Sequence, residues 1–547
     1  MAYDPNAQGY VVTAPLHANI TVDENGVPTG IATASGGSVS LSQVSGGSAA
    51  TRATNIMTRG LMGSVANYGG AGSTFTYHTT TTVEQHARRF RIWLPNMAAA
   101  AVTVAAVAIS VSNAVGTDPT VGGTGAARYT PSTNAWVAVT FGGAASATIP
   151  PAIDTSAGNK QPSWIASDWI DIATIPRADG GTLPVVMMRA TITSGVGYNL
   201  TGYNTSAFNL IANTDIHGGR IFTSYRYTGD GITVPANFVY TTDLSGTGSF
   251  FNRFEYQGVS PGVTIAVPGD SIADGSVNGG SGNYGNGWAW KLANLLRAAR
   301  PDLPIELCLL AFTSQNAVSF PLRAERFILD GTHFDIMIYS PFSPNDGPPN
   351  SSTVLAQHKY WQQMAEMVVN GTYPQLKPLP ITPGASPYTY NVRAPGTLMI
   401  VGGTVSAVSA ARAGVTVAMP TAGAVAVVDG DAVTITYTVA PTVTLIPSPR
   451  PVGSKILVLT TPCPNTAAAW DATADGFRLA LKAQILEAKK AGVPVIDFDA
   501  VLSDGATPAR FVASKTTDGT HPNEVGHTDM ASPGLPVVLP LLPTALI

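Results

Sequence analysis

Four residues of this chain are placed so that they could do chemistry together: Ser271, Asn345, Asp518 and His521. Ser271 ends the stretch VPGDS, an apolar run closing in Gly-Asp-Ser, with Gly275 shortly after. A serine hydroxyl attacks a carbonyl well only when a base takes its proton, and the oxyanion that forms needs preorganised donors. His521 lies in TTDGTHPNEVGH, a Gly- and Pro-marked loop leading into the last helix, and Asp518 stands three residues before it. A carboxylate so placed can address one imidazole nitrogen while the other faces the serine. Asn345, in YSPFSPNDG, sits in a Pro-rich turn, where its amide can donate to an oxyanion. The plainer alternatives are that Gly-Asp-Ser is a strand-to-loop turn and Asn-Asp-Gly a turn and nothing more.

The elements around these residues can be read from texture. VTIAVP (263–268) is continuously apolar, as a strand buried on both faces is. LPIELCLLAF (303–312), FDIMIYSPF (334–342), KILVLTTP (455–462) and VPVIDFD (493–499) repeat that character. Helical spacing marks 284–300, 353–369 and most of 467–492. Strands alternating with helices mean βαβ units and a parallel, doubly wound sheet, which carries its site at the strand carboxyl ends. Ser271, Asn345 and the Asp518/His521 loop each follow one of these strands.

The order Gly-Asp-Ser after the first strand, Asn-Asp after the third and Asp-x-x-His near the end resembles the SGNH (GDSL-type) hydrolase family. The resemblance covers about 256–377 and 452–547. It implies a flavodoxin-like α/β/α sandwich and a serine esterase: Ser271 the nucleophile, His521 the base, Asp518 its orienter. It also implies oxyanion donors from Asn345, the backbone N–H of Ser271 and a backbone N–H after the second strand. The family has a glycine there; here the loop reads AFTSQNA, and Ser314 is the matching position. The family's Gly-x-Asn-Asp appears as Ser343-Pro344-Asn345-Asp346. No Gly-x-Ser-x-Gly elbow is present, which disfavours the α/β-hydrolase fold.

The rest of the chain is β in texture. Residues 1–74 are rich in Gly, Ser, Thr and Ala and read as an extended arm or linker. Residues 75–258 hold short strands bounded by turn residues, among them RRFRIWLP, AAVAISVS, LPVVMMRATITS and ANFVYTTD, and suggest a jelly-roll-like β-sandwich. The hydrolase-like segment occupies 259–377 and 452–547, interrupted at 378–451 by a small inserted β domain. An insert at that end of the sheet could shape a cleft or serve structure alone.

Charged residues make up 11% of the 547, against about 25% in an average soluble chain. Net charge is −4 and there is no Lys/Arg cluster, so neither nucleic acid nor an anionic membrane is an expected partner. The apolar run Met97–Val111 is short and Ala/Thr-rich and reads as strand rather than membrane span. Cys308 and Cys463 read as small buried hydrophobes, with a disulfide between them left open. His17, His78, His86, His217 and His358 show no ligand spacing, His333 precedes the third strand at the wrong end of the sheet, His527 reads as structural, and no metal or cofactor is expected. The start of the chain lacks the basic and apolar regions of a signal peptide. The SGNH resemblance implies an esterase; with the flanking β segments and these features, the expectation is one that removes small acyl groups, O-acetyl foremost, from a bacterial surface polysaccharide. It would be a homo-oligomer on a phage particle or outside the cell, with the arm touching other virion proteins. Two competing readings are an adhesive virion protein that binds glycan on an inactive hydrolase fold, and a secreted lipase or aryl esterase.

Overall fold

The structure is a computed structural model. It describes residues 19–22, 28–32, 38–40, 56–67, 74–82, 88–112, 115–117, 127–129, 136–171, 185–193, 199–202, 222–228, 232, 242–243, 253–257, 262–276, 287–329, 334–365, 367–368, 378–392, 396–412, 415–427, 431–447, 455–490 and 492–543. His17, His86, His217, His333, most of 1–55 and most of the expected strand ANFVYTTD lie outside the described residues. The chain divides into two compact units. One comprises 41–321, 334–361 and 456–547, the other 1–40, 322–333 and 362–455.

The first unit begins with β1 (Ile56–Asn67), β2 (Thr74–Thr82), β3 (Arg89–Asn96), β4 (Val102–Ser112), β5 (Val137–Val139), β6 (Ser163–Ala166), β7 (Val185–Thr193), β8 (Phe222–Thr228) and β9 (Arg253–Gln257). They are distributed over two antiparallel sheets, one running β5-β4-β7-β2-β8 and the other β6-β3-β9-β1. The strands alternate their faces. Phe90, Ile92 and Leu94 of β3 and Phe254 and Tyr256 of β9 enter one apolar core with Tyr77, Val107, Ile109, Val186 and Met188 of the other sheet. At ~1.5–3 kcal/mol for each large buried side chain, this core is the main force holding the sheets together.

The α/β part follows: β10 (Val263–Gly269), α1 (Ser271–Asp274), α2 (Trp288–Ala299), β11 (Ile305–Phe312), α3 (Ser319–Leu329), β12 (Ile336–Tyr339), α4 (Ser351–Ala365), β13 (Ile456–Thr460), α5 (Ala472–Lys490), β14 (Val495–Ile496), α6 (Asp499–Leu502) and α7 (Glu524–Ala531). The five strands are parallel, in the order β11-β10-β12-β13-β14, which is the flavodoxin-like 2-1-3-4-5. β10 and β11 are buried along their whole length, as their apolar runs require. Helix α3 has no counterpart in the sequence expectation. Pro321 obscures its pattern, although a proline in the first turn forfeits no helical hydrogen bond.

Two corrections concern the N-terminal third. Residues 56–67 are a twelve-residue strand, not part of an arm, and Asn19–Val22, Pro28–Ala32 and Ser38–Ser40 pair as a small antiparallel sheet. The sandwich and the α/β part also share a sheet. β1 pairs antiparallel with β9 and parallel with β11, Gly60 standing opposite both Arg253 and Cys308. One sheet therefore runs from the sandwich into the parallel strands, and the open edge of β11 is covered.

In the second unit, strands between Leu379 and Pro447 form two four-stranded antiparallel sheets. Leu398, Ile400, Val408, Val425, Val433, Ile435, Val443 and Leu445 share one core. The alternation of buried and exposed residues in GTLMIV and AVTITYTV is what such two-faced strands need.

Candidate active site

Ser271 is the first residue of α1, directly beyond the carboxyl end of β10. Asp270 caps the helix, its Oδ1 accepting the Ile272 N–H at 2.9 Å. The buried Ser271 has its Oγ 2.9 Å from His521 Nε2. His521 Nδ1 is 2.8 Å from Asp518 Oδ2. The three side chains thus form one hydrogen-bonded chain, and residues separated by 250 positions meet because both flanking loops leave the same edge of the sheet.

The Asp518–His521 turn is tightly built. Asp518 Oδ1 accepts the N–H groups of Thr520 (2.9 Å) and His521 (2.7 Å), and Thr516 Oγ1 donates to the His521 carbonyl at 2.7 Å. Gly519 has φ +77°, and a Cβ there would lie 2.8 Å from Thr466 Cβ, so both conformation and space call for glycine. Burial works to raise the Asp518 carboxyl. The two backbone donors and the imidazole outweigh it and hold the carboxyl below its ordinary value. Asp518 is thereby kept as an anion beside the imidazole of His521.

Ser314 lies in the loop after β11 and Asn345 in the turn after β12. Ser314 is the one non-glycine residue with positive φ among the described residues, at +58°. Its backbone is in the left-handed conformation that favours glycine. Asn345 Nδ2 donates to the Gln315 carbonyl at 3.0 Å and to Ser343 Oγ at 3.1 Å. Its amide is therefore held against the neighbouring loop in this arrangement, and the two oxyanion candidates meet through Gln315 rather than directly at Ser271.

Sequence reasoning noted Ser343 only as the residue in the place of a motif glycine and did not single out Gln315. Ser343 Oγ lies 2.6 Å from Asp270 Oδ2 and 2.8 Å from the Gln315 carbonyl. Asp270 is buried, and burial raises its carboxyl above the ordinary value; hydrogen bonds from Ser343, Ile272 and Ala273 and the nearby His521 offset part of that. Gln315 is fully buried. A buried polar side chain in a loop is a usable signal, but its partners come from elements far away in the chain.

His527 is also fully buried. Its Nδ1 accepts the Trp288 N–H at 3.3 Å and its Nε2 lies 3.2 Å from the Ser276 carbonyl, so the neutral ring ties α7 to the start of α2. Both cysteines are free thiols, and burial raises each. Among the described residues no three His, Cys, Asp or Glu side chains gather as metal ligands would, and no helix is long and apolar enough to cross a membrane.

No family model matches the chain, and no curated protein matches it. Solved structures do. A carbohydrate acetylesterase family member from Sinorhizobium meliloti is 12% identical, over 51% of this chain and 99% of that one, at a TM-score of 0.29. An acetylxylan esterase from Geobacillus stearothermophilus is 14% identical, over 51% and 95%, also at 0.29. A lipase/acylhydrolase from Enterococcus faecalis is 11% identical, over 51% and 95%, at 0.27.

Proposed function

We propose that the chain is a serine ester hydrolase of SGNH (GDSL) type that removes small acyl groups, O-acetyl foremost, from a polysaccharide. The observation that carries this is the hydrogen-bonded chain Ser271–His521–Asp518 at the carboxyl edge of the parallel sheet. His521 Nε2 takes the Ser271 proton as Oγ bonds to the acyl carbon. The oxyanion is met by the backbone N–H of Ser271, which as a first-turn donor has no helical acceptor, by that of Ser314, and by the Asn345 amide once it leaves Ser343. His521 then protonates the departing alcohol oxygen, leaving an acyl-serine. Water attacks the ester with the same base and the same donors, and Ser271 regains its proton.

A cavity of about 30 Å³ lies beside the site, bordered by Asp270, Ile272, Phe342, Pro344, Trp470 and Thr520. These include the sequence neighbours of Ser271, Asn345 and His521. Its lining is mainly apolar. The polysaccharide and a place on a virion surface rest on the low-charge, Gly-rich composition and on the β-sandwich beside the site. A jelly-roll winding of that sandwich is supported by its strand order: β6-β3-β9-β1 faces β5-β4-β7-β2, successive strands mostly crossing from one sheet to the other.

The test is p-nitrophenyl acetate hydrolysis by wild type and by Ser271→Ala, with longer acyl esters alongside. The expected result is a loss of about 10⁴-fold or more in kcat for the variant and a preference of the wild type for acetate. A wild type no faster than Ser271→Ala on small esters and acetylated glycans would contradict the proposal.

A further inference from the structure

The loop Asp154–Gln161 belongs to the sandwich and precedes β6, yet it makes contact with the active-site edge. Within itself it is a closed turn. Asp154 and Gln161 form a bridge, with Gln161 N–H to Asp154 O at 2.8 Å, and Asp154 Oδ1 accepts the Ser156 N–H at 2.7 Å. Three hydrogen bonds then fasten it to the segment after β11. Asn316 N–H donates to the Gly158 carbonyl (2.8 Å), Lys160 N–H to Gln315 Oε1 (2.8 Å), and Gln161 Nε2 to the Ser319 carbonyl (3.2 Å).

Gln315 is where these contacts reach the chemistry. Its Oε1 faces the sandwich loop. Its Nε2 donates to the carbonyls of Thr313 (3.1 Å) and Ser314 (3.2 Å). Its own carbonyl accepts from Asn345 Nδ2 and lies 2.8 Å from Ser343 Oγ, which hydrogen-bonds Asp270, the residue before the nucleophile. A left-handed backbone at a non-glycine residue, like that of Ser314, persists only when its surroundings over-determine it. The grip of Gln315 on the Ser314 carbonyl, itself braced by Lys160 N–H, supplies that restraint.

We propose that Gln315 and the Asp154–Gln161 loop are positioning elements for the oxyanion donors Ser314 and Asn345, so that the β-sandwich completes the active site. This rests on the serine-esterase reading. Donors aimed at a developing charge act only when fixed beforehand, and a small displacement is costly.

Gly158→Ala tests the proposal from the sandwich side. Gly158 has φ +82°, which alanine adopts only with strain, and an added Cβ would lie 2.7 Å from Asn316 Nδ2, so the loop backbone and the Asn316 side chain it packs against are both perturbed. Gln315→Met tests it from the other side, keeping length and removing the side-chain hydrogen bonds to Lys160, Thr313 and Ser314. Each variant is assayed on p-nitrophenyl acetate in the full chain, with thermal unfolding and with the affinity of phenylboronic acid, whose serine adduct is tetrahedral. The expected result is a fall in kcat on the order of 10²-fold, little change in KM, and a parallel loss of boronic acid affinity in folded protein. If Gly158→Ala does not fold, Gln315→Met decides alone. Folded variants with wild-type kcat and boronic acid affinity would overturn the inference while wild-type turnover left the esterase reading standing. A wild type no faster than Ser271→Ala would sink both.

Discussion

At the scale of single residues, the site divides into groups whose chemistry is local and groups whose role depends on distant partners. Ser271, Asp518 and His521 were legible because each stands in a turn marked by Gly or Pro at a strand end, where a side chain has work other than packing. Ser343 and Gln315 were not, because a serine and a glutamine in a loop acquire meaning only from Asp270, Lys160 and Asn345 across the fold. Ser314 lies between the two cases. Aligning it with a glycine identified the position, and its φ of +58° shows what the alignment asks of the backbone. If Ser314 acts through its N–H, Ser314→Gly keeps the donor and relieves the left-handed strain. We expect kcat/KM close to wild type and a stability gain of up to about 1 kcal/mol in urea unfolding. A large loss of activity would mean that the Ser314 hydroxyl, not its backbone, takes part.

At the scale of elements, the five parallel strands and three of the longer helices follow from their apolar patterns, whereas β1 and α3 did not. Ile56–Asn67 carries two glycines and several polar residues, which weaken any strand pattern read in isolation. The partners on both sides, β9 and β11, make it a strand. The packing of α7 on α2 gives a pH-dependent contribution through His527. Burial lowers its pKa from 6.5 to about 4, helped by the nearby Lys291 and His521 and opposed by the Ser276 carbonyl. Between these values the unfolded chain holds a proton that the folded chain refuses. Stability therefore falls as pH drops through that window, by about 3 kcal/mol in total from this group. The raised carboxyl of Asp270 acts in the opposite sense, its stabilisation fading as pH rises above the ordinary aspartate range. Urea unfolding of wild type and His527→Gln across this pH range separates the two. The variant should lose the acid-side slope, and an unchanged slope would contradict the assignment.

At the scale of the whole chain, the sequence suggested a sandwich and a hydrolase as separate segments, and within the first unit they are joined by a common sheet and by the Asp154–Gln161 loop. The textures do change near residue 260, which is why the boundary was legible. Hydrogen-bonded register between β1 and β11 leaves no mark in composition, which is why the continuity was not. The central claim is that this assembly activates Ser271 as a nucleophile. Its most direct test is to treat the intact chain with diethyl p-nitrophenyl phosphate, in which the serine oxygen displaces p-nitrophenolate, and to map the adduct by peptide mass spectrometry. The account predicts one diethylphosphoryl group on Ser271, esterase activity lost in step with labelling, and no labelling there in His521→Ala. Full activity after treatment, or a label elsewhere with Ser271 untouched, would contradict it.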